Sequence, residues 1–230
     1  YYEYNSNEKI ASLYHYIDLL ENIENKNNQL SIKLQWFKEY NEIKKIVKYA
    51  NDKNIVVVIS SFLKKHRDNE INTYLKLLNH GLTNNVITLA TYHSDIDEKV
   101  DLILKKNGRV RLVKGWWNDG DVKDWNKVTQ NMYNNGIKLA NDNNNHIIAT
   151  HDFDLLKRLY QKNNMNNIEL SFFLFNNNYV KDQIENFPYN IKRKSFYQVY
   201  GHKMFNIPLL ILNSNLNRNL KLLYKSIFNK

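Results

Sequence analysis

The chain contains no cysteine, so disulfides, thiolate nucleophiles and cysteine-based metal sites are excluded. Only six glycines occur in 230 residues, and they build neither a Gly-rich dinucleotide loop nor a phosphate-binding loop. No apolar run is long enough for a membrane-spanning helix, and no span is expected. No signal peptide or cationic presequence is visible. The first residue is tyrosine rather than methionine, as expected of a fragment or a processed form.

What is present sets a different outline. Hydrophobic residues make up 43% of the chain, enough to bury a sizeable core. The net charge is +10, and a molecule of that charge attracts nucleic acid or acidic protein surfaces. The cations are scattered, however. Lys64-Lys65-His66-Arg67 and Lys192-Arg193-Lys194 are the only tight clusters, so a solvated basic surface is expected and specific nucleic-acid binding is not. Asparagine runs such as Asn141-Asp142-Asn143-Asn144-Asn145 and Asn176-Asn177-Asn178 fall at predicted turns and read as tolerated loop filler. With abundant Lys, Ile and Tyr they point to an AT-rich genome rather than to a function.

Short apolar or β-branched runs alternate with segments of helical period. Strands are predicted at Leu30–Leu34, Ile55–Ile59, Val86–Tyr92, Val110–Gly115, His146–Thr150, Ile168–Leu174 and Phe196–Tyr200. Helices are predicted at about 38–50, 68–79, Ile96–Leu104, 122–140 and Asp152–Tyr160, and after each of the last two strands. This alternation predicts parallel βα units. Seven strands, with Tyr1–Tyr4 where an eighth, first strand would end, fit a (β/α)8 TIM-like barrel trimmed near its first strand. Residues 1–230 are expected to form one such domain. Barrel chemistry sits at strand C-terminal ends, which singles out Lys33, Ser60, Tyr92, Arg111, Lys114, Thr150, His151, Tyr197 and Tyr200.

Arg111 and Lys114 lie in an otherwise buried-looking strand, Val110-Arg111-Leu112-Val113-Lys114-Gly115-Trp116-Trp117. A buried guanidinium needs a counter-charge or an acceptor such as a cofactor. The segment resembles the Arg-Leu-Val-Lys-Gly-Ala-Tyr strand of the proline dehydrogenase family, FAD-dependent barrels that oxidise proline to pyrroline-5-carboxylate. Ser31-Ile32-Lys33-Leu34, Ala149-Thr150-His151-Asp152 and Tyr197-Gln198-Val199-Tyr200-Gly201 resemble three further motifs of that family, in its order. The resemblance implies that Arg111 sits near flavin N5. It implies that Lys114 and Gly115 line the cofactor cleft, with Gly115 allowing close backbone approach. Thr150 and His151 would hold the FAD phosphate and ribose region. Lys33 would approach the substrate carboxylate, and Tyr197 and Trp117 would complete the catalytic set. The residues by themselves leave other readings open: a Thr-His pair capping the next helix, Tyr197 as ordinary core, Arg111 in a buried salt bridge.

Several positions depart from the family pattern. Its two carboxylate-binding arginines fall on Leu210 and Ile211, its buttressing glutamate on Ser214 and a preceding tyrosine on Ile207. Two such arginines supply charge-assisted hydrogen bonds of about 1.5–3 kcal/mol each, and a single lysine cannot reproduce a bidentate fork. The family's strand-three Asp-x-Glu reads Val58-Ile59-Ser60, its Gln-Ala-Tyr reads Ala90-Thr91-Tyr92, and its alanine after Lys-Gly is Trp116. The penultimate strand is the apolar Ser171-Phe172-Phe173-Leu174-Phe175. Polar groups that need a ligand have given way to apolar ones. The expectation is a catalytically degenerate proline dehydrogenase-like domain with a structural or protein-binding role in a larger assembly, with FAD binding weak or lost. The alternative is an active FAD-dependent proline dehydrogenase, or a related flavoenzyme with a changed substrate. The family is mitochondrial in eukaryotes and cytoplasmic or membrane-associated in bacteria, so a mitochondrial location is expected and a cytoplasmic one is the other candidate.

Overall fold

The computed structural model describes residues 6–23, 28–37, 39–60, 64–115, 120–173 and 177–197. Strands β1 (Gln29–Ile32), β2 (Val56–Ile59), β3 (Asn85–Ala90), β4 (Val110–Val113), β5 (His146–Ala149), β6 (Ile168–Phe173) and β7 (Lys194–Tyr197) follow one another in a single seven-stranded sheet. The β1–β2, β2–β3, β5–β6 and β6–β7 pairs are parallel. Helices α1 (Ser6–Asn22), α2 (Tyr40–Asp52), α3 (Lys64–Asn79), α4 (Ile96–Lys105), α5 (Trp125–Asn141), α6 (Phe153–Lys162) and α7 (Asn177–Glu185) alternate with the strands. Parallel strands in sequence order, each followed by a helix, are the arrangement of the expected TIM-like barrel. Tyr1–Tyr4, the expected end of a first strand, lies outside the described residues.

Two compact units make up the chain, residues 1–89 with 98–111 and residues 90–97 with 112–230. In the first, β1 and β2 run in register from Gln29↔Val56 to Ile32↔Ile59. Helix α2 begins with a reciprocal cap in which Glu42 accepts from the Glu39 backbone N–H at 3.3 Å. It buries Ile43, Ile46, Val47 and Ala50, the single stripe expected of an amphipathic helix. Helix α1 has no counterpart among the sequence expectations. Its Tyr16 and Leu20 are buried, with the Tyr16 ring 5.5 Å from that of Phe37. Helix α3 starts at Lys64, so the Lys64–Arg67 tetrad is a helical turn rather than a loop cluster, and Arg67 is buried instead of solvated. Asn54 and Asn107 follow α2 and α4 with φ of 59° and 53°, a left-handed conformation that asparagine tolerates better than most residues.

In the second unit, β5, β6 and β7 end together, with Ala149 opposite Ser171 and Phe173 opposite Tyr197. Asp124 caps α5 by accepting from Asn126 N–H at 2.9 Å. Helices α5 and α6 approach closely at Gly136, where a Cβ would meet both Leu159 methyls at 3.1 Å. The Asn141–Asn145 run is not filler. Asp142 accepts from His146 at 2.9 Å and from Asn144 N–H at 2.8 Å. The Asn167 amide donates to the carbonyls of Leu139, Asp142 and Asn144. These bonds satisfy backbone acceptors that the turn would otherwise leave open.

Candidate functional site

In the second unit, Lys114 follows β4 directly and points its ammonium at three groups of its own chain. Its Nζ donates to Asp152 Oδ2 at 2.5 Å and to Thr129 Oγ1 at 2.9 Å, and it stands 5.4 Å from the centre of the Trp125 ring. The lysine is 11% exposed and Asp152 30%, so the pair is partly screened from water. Asp152 is held by more than the lysine. It is the N-cap of α6, accepting from Leu155 N–H at 3.0 Å, while its own N–H donates to Thr150 Oγ1 at 3.1 Å. Burial raises the Asp152 carboxyl, but the Lys114 hydrogen bond, the Leu155 N–H and the charges of Lys114 and Arg158 outweigh it and hold the group below its usual value.

Gly115 has φ +96°, a region that favours glycine. The group it admits is Tyr92: a Cβ on Gly115 would lie 1.4 Å from Tyr92 Cδ1, and one on Gly120 would lie 2.0 Å from Tyr92 Cδ2. The ring is 4% exposed and packs with Ala90 and Val128, with Val113, Val122 and Trp125 against that cluster. Its backbone is fixed as well, since Thr91 N–H donates to Val113 O at 2.8 Å and Val122 N–H to Tyr92 O at 2.9 Å.

His151 accepts the Phe173 N–H on Nε2 at 2.9 Å and stacks on Phe172 at 6.2 Å. Burial lowers its pKa, in keeping with a neutral ring whose Nε2 is an acceptor. The hydrogen bond ties the end of β5 to the end of β6. Capping of α6 is thus done by Asp152, with Thr150 supporting it and His151 serving the sheet.

In the first unit, Ser31 and Ser60 share a 2.6 Å hydrogen bond beside the register pair Ile32 and Ile59. Lys33 Nζ lies 4.7 Å over the Trp36 ring, and burial lowers its pKa. Arg111 on β4 is 9% exposed and Val58 on β2 is buried. Trp116, Trp117, Tyr200, Ile207, Leu210, Ile211 and Ser214 lie outside the described residues, as does the side chain of Tyr197 at the end of β7. Lys114, Gly115, Thr150 and His151 therefore gather within the second unit, while Arg111 and Lys33 belong to the first. Sequence reasoning did not assign Asp152, Thr129 or Gly120 to the site. Asp152 carries the local signature of an N-cap, but nothing local signals a partner 38 residues away. Among the described residues no group of acidic or histidine side chains could hold a metal ion.

No family model and no curated protein matches the sequence. Solved structures do match. Proline utilization A from Bdellovibrio bacteriovorus, inactivated by N-propargylglycine, superposes with a TM-score of 0.79 at 15% identity over 99% of this chain and 30% of that protein. A D779W mutant of the Bradyrhizobium japonicum proline utilization A gives 0.73 at 12% identity over 85% of this chain and 25% of that one. A proline utilization A with proline bound in remote sites gives 0.72 at 12% identity, again over 25% of its length. The chain therefore spans less than a third of the length of these proteins and shares the fold of that part, in line with the proline dehydrogenase resemblance of its motifs.

Proposed function

We propose that the chain is a catalytically degenerate proline dehydrogenase-like domain, kept as one barrel domain for a structural or protein-binding role in a larger assembly. The observation that carries this reading is the internal engagement of the residues that would line a flavin. Lys114 is paired with Asp152, the space beside Gly115 holds the Tyr92 ring, and His151 Nε2 accepts from the Phe173 backbone. FAD would supply hydride acceptance in such a barrel. Its phosphates need a cation and open backbone, and the arrangement seen here offers an ion-paired lysine and a filled glycine, so these residues do not fit the cofactor. Loss of the arginine pair at Leu210 and Ile211 points the same way. A mitochondrial location belongs to the same proposal, by analogy with the eukaryotic family.

Arg111 favours the alternative, an active flavoenzyme for proline or a changed substrate, because it is retained and nearly buried. The purified protein separates the two. A colourless protein that takes up no added FAD and passes no electrons from proline to an artificial acceptor is the expected result. A yellow protein with saturable flavin uptake and proline-dependent reduction would overturn the proposal. The partner role is tested by isolating the tagged chain from its native source: a stoichiometric protein partner is expected, and a lone monomer counts against an assembly role.

A further inference from the structure

Two side chains of the second unit stand where the resemblance would have a ligand, and each has its own geometry. Asp152 Oδ2 meets Lys114 Nζ at 2.5 Å while Oδ1 caps α6 through Leu155 N–H at 3.0 Å. One carboxylate thus neutralises the lysine and fills a helix N-terminus, the two features a phosphate group seeks. Thr150 Oγ1 is drawn into the same arrangement by the Asp152 N–H. Tyr92 lies against both Gly115 and Gly120, so closely that neither position could carry a side chain. Its ring is buried among Ala90, Val128, Val113, Val122 and Trp125.

We propose that Asp152 and Tyr92 are internal occupants of this strand-end site, the Asp152 carboxylate standing in for an anionic ligand on Lys114 and the Tyr92 ring filling the glycine-lined space. The inference rests on the reading of the chain as a degenerate proline dehydrogenase-like domain, and it names the residues that keep such a site closed. Charge decides the Asp152 half: a phosphate approaching Lys114 meets a carboxylate already bound there, and like-charge repulsion opposes it. Shape decides the Tyr92 half, since a close-packed ring leaves no room for a second group.

The test compares FAD and ADP binding to the full chain and its variants at one salt concentration, by flavin fluorescence and calorimetry. Asp152→Asn keeps the cap and removes the charge; Asp152→Ser does the same should the asparagine variant not fold. Tyr92→Leu, with circular dichroism as a check, opens the glycine-lined space. The expected result is binding of both probes about tenfold tighter, or more, in the Asp152 variant than in the native chain. That gain should disappear when Lys114→Met is added. Tyr92→Leu should improve FAD binding in the Asp152→Asn background. Folded Asp152 variants that bind no better than the native chain overturn the charge half. A gain that survives Lys114→Met does the same, and an unchanged Tyr92 variant overturns the shape half. Tight FAD binding by the native chain would defeat the degenerate-domain reading instead, and the variant-to-native ratio would still decide the occupants.

Discussion

Tyr92 and Gly115 make the closest dependence between two residues in the second unit. Gly115→Ala meets two penalties at once, a strained φ near +96° and a Cβ 1.4 Å from the Tyr92 ring. A loss of about 3 kcal/mol or more in urea unfolding is expected. Combining it with Tyr92→Ala should cost less than the sum of the single changes by about 1 kcal/mol or more, because the clash disappears while the backbone strain remains. Asp152 and His151 set the acid response. A carboxyl held below its usual value contributes stability that is present above the unfolded pKa and lost as pH falls through the folded one. His151, lowered by burial, binds protons more readily when unfolded, so its contribution is complete above its ordinary pKa of 6.5 and declines below it. Unfolding free energy should therefore fall in two stages on acidification, a first below the ordinary histidine range and a second below the ordinary carboxylate range. His151→Gln should flatten the first stage and Asp152→Asn the second. A single-stage profile in the native chain would contradict both assignments.

Elements in this fold are joined by polar side chains as much as by their apolar stripes. Tyr74 of α3 accepts from Arg109 N–H at 2.6 Å and donates to Arg109 O at 3.1 Å, clipping the helix to the start of β4. Burial pushes its phenol well above the usual range, against the opposing effects of Arg109. Tyr74→Phe leaves both backbone groups short of a partner and should lower stability by about 1–3 kcal/mol, measured by thermal unfolding. Asn167 does a comparable task below β6, where its amide gathers the carbonyls of Leu139, Asp142 and Asn144. Asn167→Ala should cost about 2 kcal/mol, whereas a change at exposed Asn143 should be near neutral. The contrast explains why an asparagine-rich run is misread as filler. Composition is uniform along it, while hydrogen-bonding duty is not.

At the scale of the molecule, a net charge of +10 operates at a distance that no single pair does. Non-specific binding to single-stranded RNA is expected at low ionic strength, and it should be lost between about 50 and 200 mM salt. Binding that persists in higher salt would require a built site that the scattered lysines do not suggest. No helix among the described residues is long and apolar enough to cross a membrane. The likeness to proline utilization A covers 30% or less of the proteins compared, so it concerns the fold of one part of them.

Periodicity in the sequence determined the alternation of strands and helices, because burial of one face imposes its repeat on each element. Ordered motifs around Ser31, Arg111, Ala149 and Tyr197 determined the kind of fold, and the structural likeness agrees with it. Element ends were less legible. Strand β4 stops at Val113, two residues before Gly115, and α3 begins four residues earlier than its apolar repeat predicts, since charged first turns carry no apolar signal. Helix α1 went unread because burial of Tyr16 and Leu20 depends on aromatic neighbours at Trp36 and Phe37. The partners of Lys114 and Gly115 were decided only by tertiary structure. Asp152 lies 38 residues from the lysine, and Tyr92 reaches the glycine from the end of another strand. A sequence shows which groups need partners; only the packed chain shows that it supplies them itself.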